Sequence, residues 1–149
     1  MASFREILST FSDDQNTRGD QFETLCKWIL ETDPIYTNKL KKVWMWDDWP
    51  GRWGPDAGID LIAEDKEGKI WAIQAKCYNK IYRINKEDVN SFISESSNDQ
   101  LDCRLLFATA DKMLVHYLKQ FYRPFSLLKR KNVYLKQFLM GLPCYYRYV

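Results

Sequence analysis

Three polar residues occur in two apolar segments where a buried sheet would normally carry none. Asp60 lies in GIDLIA, and Gln74 and Lys76 lie in IWAIQAKCY. Gln74 and Lys76 are two positions apart, so their side chains project from the same face of an extended strand. The turn composition of Asp65-Lys66-Glu67-Gly68 predicts an antiparallel hairpin that brings Asp60 across from them. The pattern therefore predicts a carboxylate, an amide and an ammonium group at one rim of a sheet.

These three groups suit the hydrolysis of phosphodiester bonds. Mg²⁺ prefers hard oxygen ligands and commonly takes one or two carboxylates together with phosphate oxygens and water. Asp60 would supply the carboxylate, and the Gln74 amide oxygen and the Ala75 backbone carbonyl would complete the protein ligands, with Mn²⁺ as a substitute metal. Lys76 would position or deprotonate the attacking water. The structural alternative is a cross-strand ion pair between Asp60 and Lys76, with Gln74 hydrogen-bonded beside it.

The elements that must position these residues follow from the apolar periodicity and the turn residues. In chain order we predict helices over 4–11 and 18–31, a strand over 42–46, the hairpin, a helix over 86–94 and a strand over 104–109. Pro34 ends the second helix and a connector follows, and DDWPGRWGPDAG is predicted to be a loop. The simplest packing is an α/β fold in which helices flank a mixed central sheet.

Composition limits the class of protein. The chain has 149 residues, 46% hydrophobic and 28% charged, which favours one globular domain and excludes collagen and wholesale disorder. The four cysteines form no CxxC pair, which is typical of reduced thiols in a cytoplasmic protein. There is no apolar run of about 18 residues, and Arg5 and Glu6 occupy the place of a signal peptide's apolar core, so we expect no membrane association.

Charge divides the chain unevenly. Residues 1–111 carry 14 basic and 20 acidic side chains, whereas residues 112–149 carry eight basic and none acidic. Such a tail is typical of a segment near a polyanion, and an altered or truncated C-terminus is the alternative. Its LLKRKNVYLKQFL stretch fits either a basic amphipathic helix or a strand-containing cap. We therefore expect a domain over 1–111 with an extension over 112–149.

The string GPDAGIDLIAEDKEGKIWAIQAKCY resembles the core of the PD-(D/E)xK nuclease superfamily, in the Mrr-like restriction endonuclease branch, where QxK replaces ExK. RGDQFETLCKWIL resembles the first helix of that family, and INKEDVNSFI and RLLFATA resemble its next helix and strand. The resemblance covers about residues 18–111 and implies a restriction endonuclease-like core with the order αβββαβ. WPGRWGPDAGIDLIA is also similar to the N-terminal nuclease domain of type ISP restriction-modification enzymes, which append a helicase and a methyltransferase.

The resemblance implies a Mg²⁺-dependent DNA endonuclease of a restriction system. Asp60 matches the motif's aspartate, Gln74 its second metal-side residue, and Lys76 its lysine. Glu23 matches the acidic residue of the first helix, which faces the site in many members; a solvated helix glutamate is the alternative. Ala57 stands where relatives often have a glycine.

Two other functions are compatible with the same residues. One is a non-cleaving DNA-binding or assembly module of a complex that supplies helicase or translocase and methyltransferase modules. The other is a nuclease of this fold that acts on RNA or repair intermediates. Association as a homodimer is a further expectation.

Two groups of residues flank the predicted site. Arg52, Lys80 and Arg83 are candidates for contacts with DNA phosphates, and a solvated surface is the alternative. Four tryptophans crowd into ten positions: Trp44, Trp46, Trp49 and Trp53. Core and loop packing is their expected role, ahead of base stacking.

Overall fold

A computed structural model describes residues 4–55, 57–78, 83–84, 86–109, 112–113, 132–139 and 142–146. The helices are α1 (Phe4–Ser9), α2 (Gln15–Thr32), α3 (Pro34–Thr37) and α4 (Lys86–Glu95). The strands are β1 (Leu40–Met45), β2 (Leu61–Asp65), β3 (Ile70–Lys76), β4 (Arg83–Ile84), β5 (Cys103–Ala108), β6 (Lys112–Met113), β7 (Asn132–Leu139) and β8 (Leu142–Tyr146). A 3-10 turn over Trp46–Asp48 follows β1.

Six of the strands form one mixed sheet in the order β1-β2-β3-β5-β7-β8. β1, β2 and β3 are antiparallel neighbours, β5 runs parallel to β3, and β7 runs parallel to β5. β8 closes the order antiparallel to β7, and β4 and β6 form a separate parallel pair. The predicted α/β fold with a mixed central sheet is confirmed, and the predicted hairpin is the β2–β3 pair.

Two aspartates cap helix α2, Asp14 at its N-terminus and Asp33 at its C-terminus. The Asp14 side chain accepts a hydrogen bond from the Thr17 amide at 2.9 Å and caps the N-terminus. Asp33 ends α2 and also begins α3, because its side chain accepts from the Ile35 amide at 2.9 Å. Pro34 occupies the first turn of α3, where its missing N–H is not needed. The predicted connector therefore contains a one-turn helix that apolar periodicity did not indicate.

The sheet is buried on both faces. Ile73 and Ala75 of β3 pack in one apolar cluster with Phe22 and Cys26 of α2. Ala72 packs in a second cluster that includes Phe92 of α4. Since side chains alternate along a strand, the even-numbered residues of β3 share the face of Ala72.

Arg104 links β5 to the end of α4. This arginine is fully buried, and its Nε donates to Ser96 Oγ at 2.6 Å, while Nη2 donates to the Ser96 carbonyl. Ser96 directly follows α4, so the guanidinium satisfies a carbonyl at the negative end of the helix. Burial lowers the pKa of Arg104.

Several predicted boundaries were wrong. α1 ends at Ser9 instead of residue 11, where Ser9 Oγ and Thr10 Oγ1 each donate to a carbonyl three residues back, at 2.7 Å. β1 begins two residues early at Leu40, and the predicted loop opens with the 3-10 turn. Of the two forms predicted for the tail, a helix or a strand-containing cap, the structure has strands, β7 and β8, which join the sheet.

Asp65 holds the turn of the β2–β3 hairpin. Its Oδ1 accepts from the amides of Glu67 and Lys69 at 2.9 Å each, and its Oδ2 accepts from Trp71 Nε1 at 3.1 Å. Gly68 supplies the positive φ of 81° that the turn needs. The carboxylate therefore fixes how β2 and β3 enter their pairing.

Removing this carboxylate should weaken the hairpin in a pH-dependent way. Burial alone would raise the pKa of Asp65, but the hydrogen bonds from Trp71, Lys69 and Glu67 outweigh it and lower the pKa below the ordinary 3.8. A lowered native pKa stabilises the fold above the unfolded-state pKa, and this contribution is lost as the pH falls through the native value. We expect Asp65→Ala to cost about 1–3 kcal/mol in urea unfolding at pH 7.

The difference in unfolding free energy between wild type and Asp65→Ala should shrink as the pH falls below about 4. The exposed Asp99→Ala is the control and should change little at either pH. A difference that stays constant with pH would contradict the assigned role of the Asp65 charge.

Candidate active site

Asp60 lies just before β2, and its backbone is bonded both to β3 and to the residue that follows β1. Its amide donates to the Ile73 carbonyl at 3.0 Å, and its carbonyl accepts from the Trp46 amide at 2.9 Å. Its carboxylate Oδ2 accepts from the Ala75 amide at 2.7 Å. The carboxylate is therefore anchored to the backbone of β3 at the residue between Gln74 and Lys76.

Two residues of β3 next to Asp60, Gln74 and Ala75, carry oxygen atoms that could serve as ligands. In an extended strand the N–H and C=O of one residue point to the same neighbour, so the Ala75 carbonyl faces the side on which Asp60 lies. Gln74 is 4% exposed, and its Nε2 donates to the Gly58 carbonyl at 3.1 Å. This bond fixes the amide plane and turns its oxygen away from Gly58.

The end of β3 is fixed by a residue that sequence reasoning did not single out. The amide of Thr109, just after β5, donates to the Lys76 carbonyl at 3.1 Å. Thr109 Oγ1 accepts from the Tyr78 amide at 2.8 Å and donates to the Tyr78 carbonyl at 3.0 Å. These bonds hold the backbone on which the half-buried Lys76 stands. Thr109 was predicted only as the end of a buried strand.

Gly58 is required where it stands. Its φ is +61°, which side chains other than glycine rarely adopt. A Cβ at this position would also collide with the Glu95 side chain. The glycine therefore allows the loop before Asp60 to pass close to the end of α4. In this conformation the Gly58 carbonyl accepts the hydrogen bond from Gln74.

Three carboxylates line a cavity of about 170 Å³ beside this rim: Glu23, Asp47 and Asp60. Its other walls are Met45, Trp46, Pro55 and Ile59. Glu23 reaches it from α2, so the structure brings this predicted residue to Asp60. Asp47 was not predicted, because it lies in a segment interpreted as a loop, and only the 3-10 turn directs it to the cavity.

The charges around Glu23 are not balanced. Burial and the negative charges of Asp60 and Asp20 raise its pKa from 4.5 to about 7. The Lys76 charge lowers the pKa, and that of Asp47 raises it further. The site therefore carries negative potential that a bound cation would relieve, and Glu23 can exchange a proton near neutral pH.

Neutralising Asp60 should lower the pKa of Glu23. In Asp60→Asn the repulsion between two carboxylates is lost, while the burial of Glu23 remains, so its pKa should fall below 7 but stay above 4.5. Carbon-13 NMR titration of the glutamate carboxylates measures this shift. The exposed Asp99→Asn variant should leave the titration unchanged. A Glu23 that still titrates near 7 in Asp60→Asn would contradict the proximity of the two groups.

Of the three residues predicted to contact DNA, the structure describes the side chain of Arg52 only. Arg52 is exposed near the cavity, and its Nη1 bonds Asp47 Oδ1 at 3.0 Å. Lys80 lies outside the described residues, and only the backbone of Arg83, in β4, is described.

Two features of the described part of the chain bear on its class. No three or more His, Cys, Asp or Glu side chains are grouped there so as to hold a metal ion. A metal bound at this rim would thus depend on amide and backbone oxygens as well as carboxylates. None of the described helices combines the length and apolar character needed to cross a membrane.

Comparison with known proteins is consistent with the geometry. A family model described as a restriction endonuclease, of the Mrr type, matches residues 31–132. That range contains Asp60, Gln74 and Lys76, and begins after Glu23. Among solved structures, the ATP-dependent type ISP restriction-modification enzyme LlaBIII, bound to DNA, matches 89% of this chain with 26% identity and a TM-score of 0.66. The matched part spans 8% of that enzyme's chain. No curated protein matches the sequence.

Proposed function

Because the chain belongs to the Mrr-like restriction endonuclease family, we propose that it is a Mg²⁺-dependent DNA endonuclease, the nuclease module of a restriction system. The observation that carries the proposal is the Asp60 carboxylate bonded to the Ala75 amide, between Gln74 and Lys76. This arrangement supports the assignment of Asp60, Gln74, Lys76 and Glu23 as the active site.

The donor set fits a hard divalent cation. The carboxylate of Asp60, the amide oxygen of Gln74 and the carbonyl of Ala75 are the oxygen types that Mg²⁺ prefers, and Mn²⁺ should substitute. The raised pKa of Glu23 supports the fit in part: burial is its main cause, and the negative charges of Asp60 and Asp20, which a cation would offset, add to it. When bound, the cation supplies polarisation of the scissile phosphate and of the attacking water.

Three residues near the proposed metal ligands have roles other than metal binding: Lys76, Glu23 and Thr109. The Lys76 ammonium neutralises charge that develops on the phosphate and orients the water. Glu23, with a pKa of about 7, accepts or holds a proton of that water near neutral pH. Thr109 fixes the backbone of Lys76 and acts as a positioning residue.

DNA is the proposed substrate. The LlaBIII enzyme was solved bound to DNA, and Arg52 lies exposed at the cavity, where a phosphate would replace Asp47 as its partner. Such a contact is charge-driven and should weaken as salt rises.

A second candidate is a non-cleaving DNA-binding or assembly module. It is favoured by the small share of LlaBIII that the chain matches, 8%, and by the ATP dependence of that enzyme. Under this alternative the chain would bind DNA but cut only with ATP-driven modules supplied by a larger assembly.

Cleavage of supercoiled plasmid and circular single-stranded DNA tests the proposal. Wild type should cut with Mg²⁺ or Mn²⁺ and not with EDTA. Asp60→Ala and Lys76→Ala should each lower the rate by about 10²–10⁴-fold, because each removes a charged group at the reacting phosphate.

Asp99→Ala and Lys66→Ala are matched controls, since both residues are exposed and Lys66 lies at the turn of the hairpin, away from Asp60. Cutting that persists unchanged in Asp60→Ala and Lys76→Ala would reject the site. Salt-sensitive DNA binding without any cutting by wild type would favour the non-cleaving module.

A further inference from the structure

A compact cluster of three tryptophans stands beside the proposed active site. Trp46 and Trp49 have ring centroids 5.7 Å apart, and Trp53 lies 4.9 Å from Trp46 and 6.1 Å from Trp49. Trp46 and Trp49 are 5% and 7% exposed, as expected of core residues. Trp53 is 39% exposed. Packing therefore explains two members of the cluster and leaves a large part of the third in solvent.

The loop that carries Trp53 is held in one shape. Trp46 Nε1 donates to the Gly54 carbonyl at 3.1 Å. Gly51 lies so close to the Trp49 ring that an added Cβ would be 2.6 Å from it. The backbone on both sides of Trp53 is thus fixed against the two buried indoles, which gives a preformed support for the exposed ring.

Trp53 is 39% exposed, and its contacts with the other two indoles are edge contacts, not parallel stacks. Its plane makes an angle of 74° with Trp46 and 84° with Trp49, so neither indole lies parallel over its faces. A flat aromatic surface of this kind, fixed in orientation, is what proteins use to stack single-stranded bases.

Trp53 lies close to residues that line the cavity of Asp60, where the substrate is proposed to bind. Trp46, its nearest ring, lines the same cavity as Asp60, and so does Pro55, two residues along the chain. Arg52, the preceding residue, bonds Asp47, which also lines the cavity. An apolar ring and a cation therefore belong to consecutive residues, and each contacts a residue that lines the cavity, which suits the base and phosphate of one nucleotide.

We propose that Trp53 is a base-stacking subsite: it stacks on an unpaired nucleobase of the DNA strand whose backbone enters the Asp60 cavity. This inference rests on the proposed nuclease function and adds a preference for single-stranded or locally unpaired DNA. Stacking tolerates any base, because every base presents a π-face, so Trp53 confers affinity for unpaired strands and not sequence specificity.

Fluorescence anisotropy in EDTA, where cutting does not interfere, tests the subsite. The probes are a single-stranded thymidine oligonucleotide, an abasic strand of the same length and a fully paired duplex. Trp53→Ala should bind the thymidine strand about 5- to 100-fold more weakly than wild type, and Trp53→Phe should retain most of the affinity. Wild type and Trp53→Ala should bind the abasic strand equally, because it offers phosphates without bases.

Trp28→Ala is the matched control, since Trp28 is 59% exposed on α2 but lines a different groove with Phe11 and Leu25. It should not change binding to any probe, and thermal melting checks that each variant is folded. Equal affinities of wild type and Trp53→Ala for the thymidine strand would overturn the subsite, as would an equal loss with the abasic strand or the duplex. If cutting depends on Asp60 and Trp53→Ala has no effect, only this inference fails; if wild type cuts no DNA, the proposed function fails separately.

Discussion

The hydrogen bond from the Ala75 amide to the Asp60 carboxylate, 2.7 Å long, is the interaction on which the site depends. It forms at the start of β2, where a side-chain oxygen takes the place of a main-chain acceptor opposite β3. Because the backbone of Asp60 is also bonded to Ile73 and Trp46, the carboxylate has little freedom to move. The same bond sets the carboxylate beside the two polar residues that flank Ala75.

That constraint explains the electrostatics of the rim. A carboxylate fixed by backbone bonds cannot swing away from Glu23, so the repulsion between the two is built into the fold. Lys76 offsets part of it, but burial and the other acids still hold the pKa of Glu23 at about 7. A site prepared in this way gains from binding a cation, whereas a site built only for stability would have neutralised its charges.

The sequence was most informative where local rules decide structure. Turn residues and alternating apolar positions were enough to predict the β2–β3 hairpin and the shared face of Gln74 and Lys76. The position of Asp47 beside the cavity depends on a 3-10 turn. The hydrogen bonds of Thr109 join residues 31 positions apart. Neither feature is encoded in apolar periodicity. For the tail, the sequence left a helix and a strand-containing cap open, because its basic and aromatic composition suits both, and the pairing of β7 with β5 decides between them.

The central claim is that Asp60, Gln74 and Ala75 together hold a divalent cation, and a crystal structure with Mn²⁺ tests it most directly. Anomalous scattering should show one Mn²⁺ ion coordinated by the Asp60 carboxylate, the Gln74 amide oxygen and the Ala75 carbonyl, and none at this place in Asp60→Ala. An ion bound elsewhere in wild-type protein that cuts DNA, with these three oxygens uncoordinated, would contradict the account.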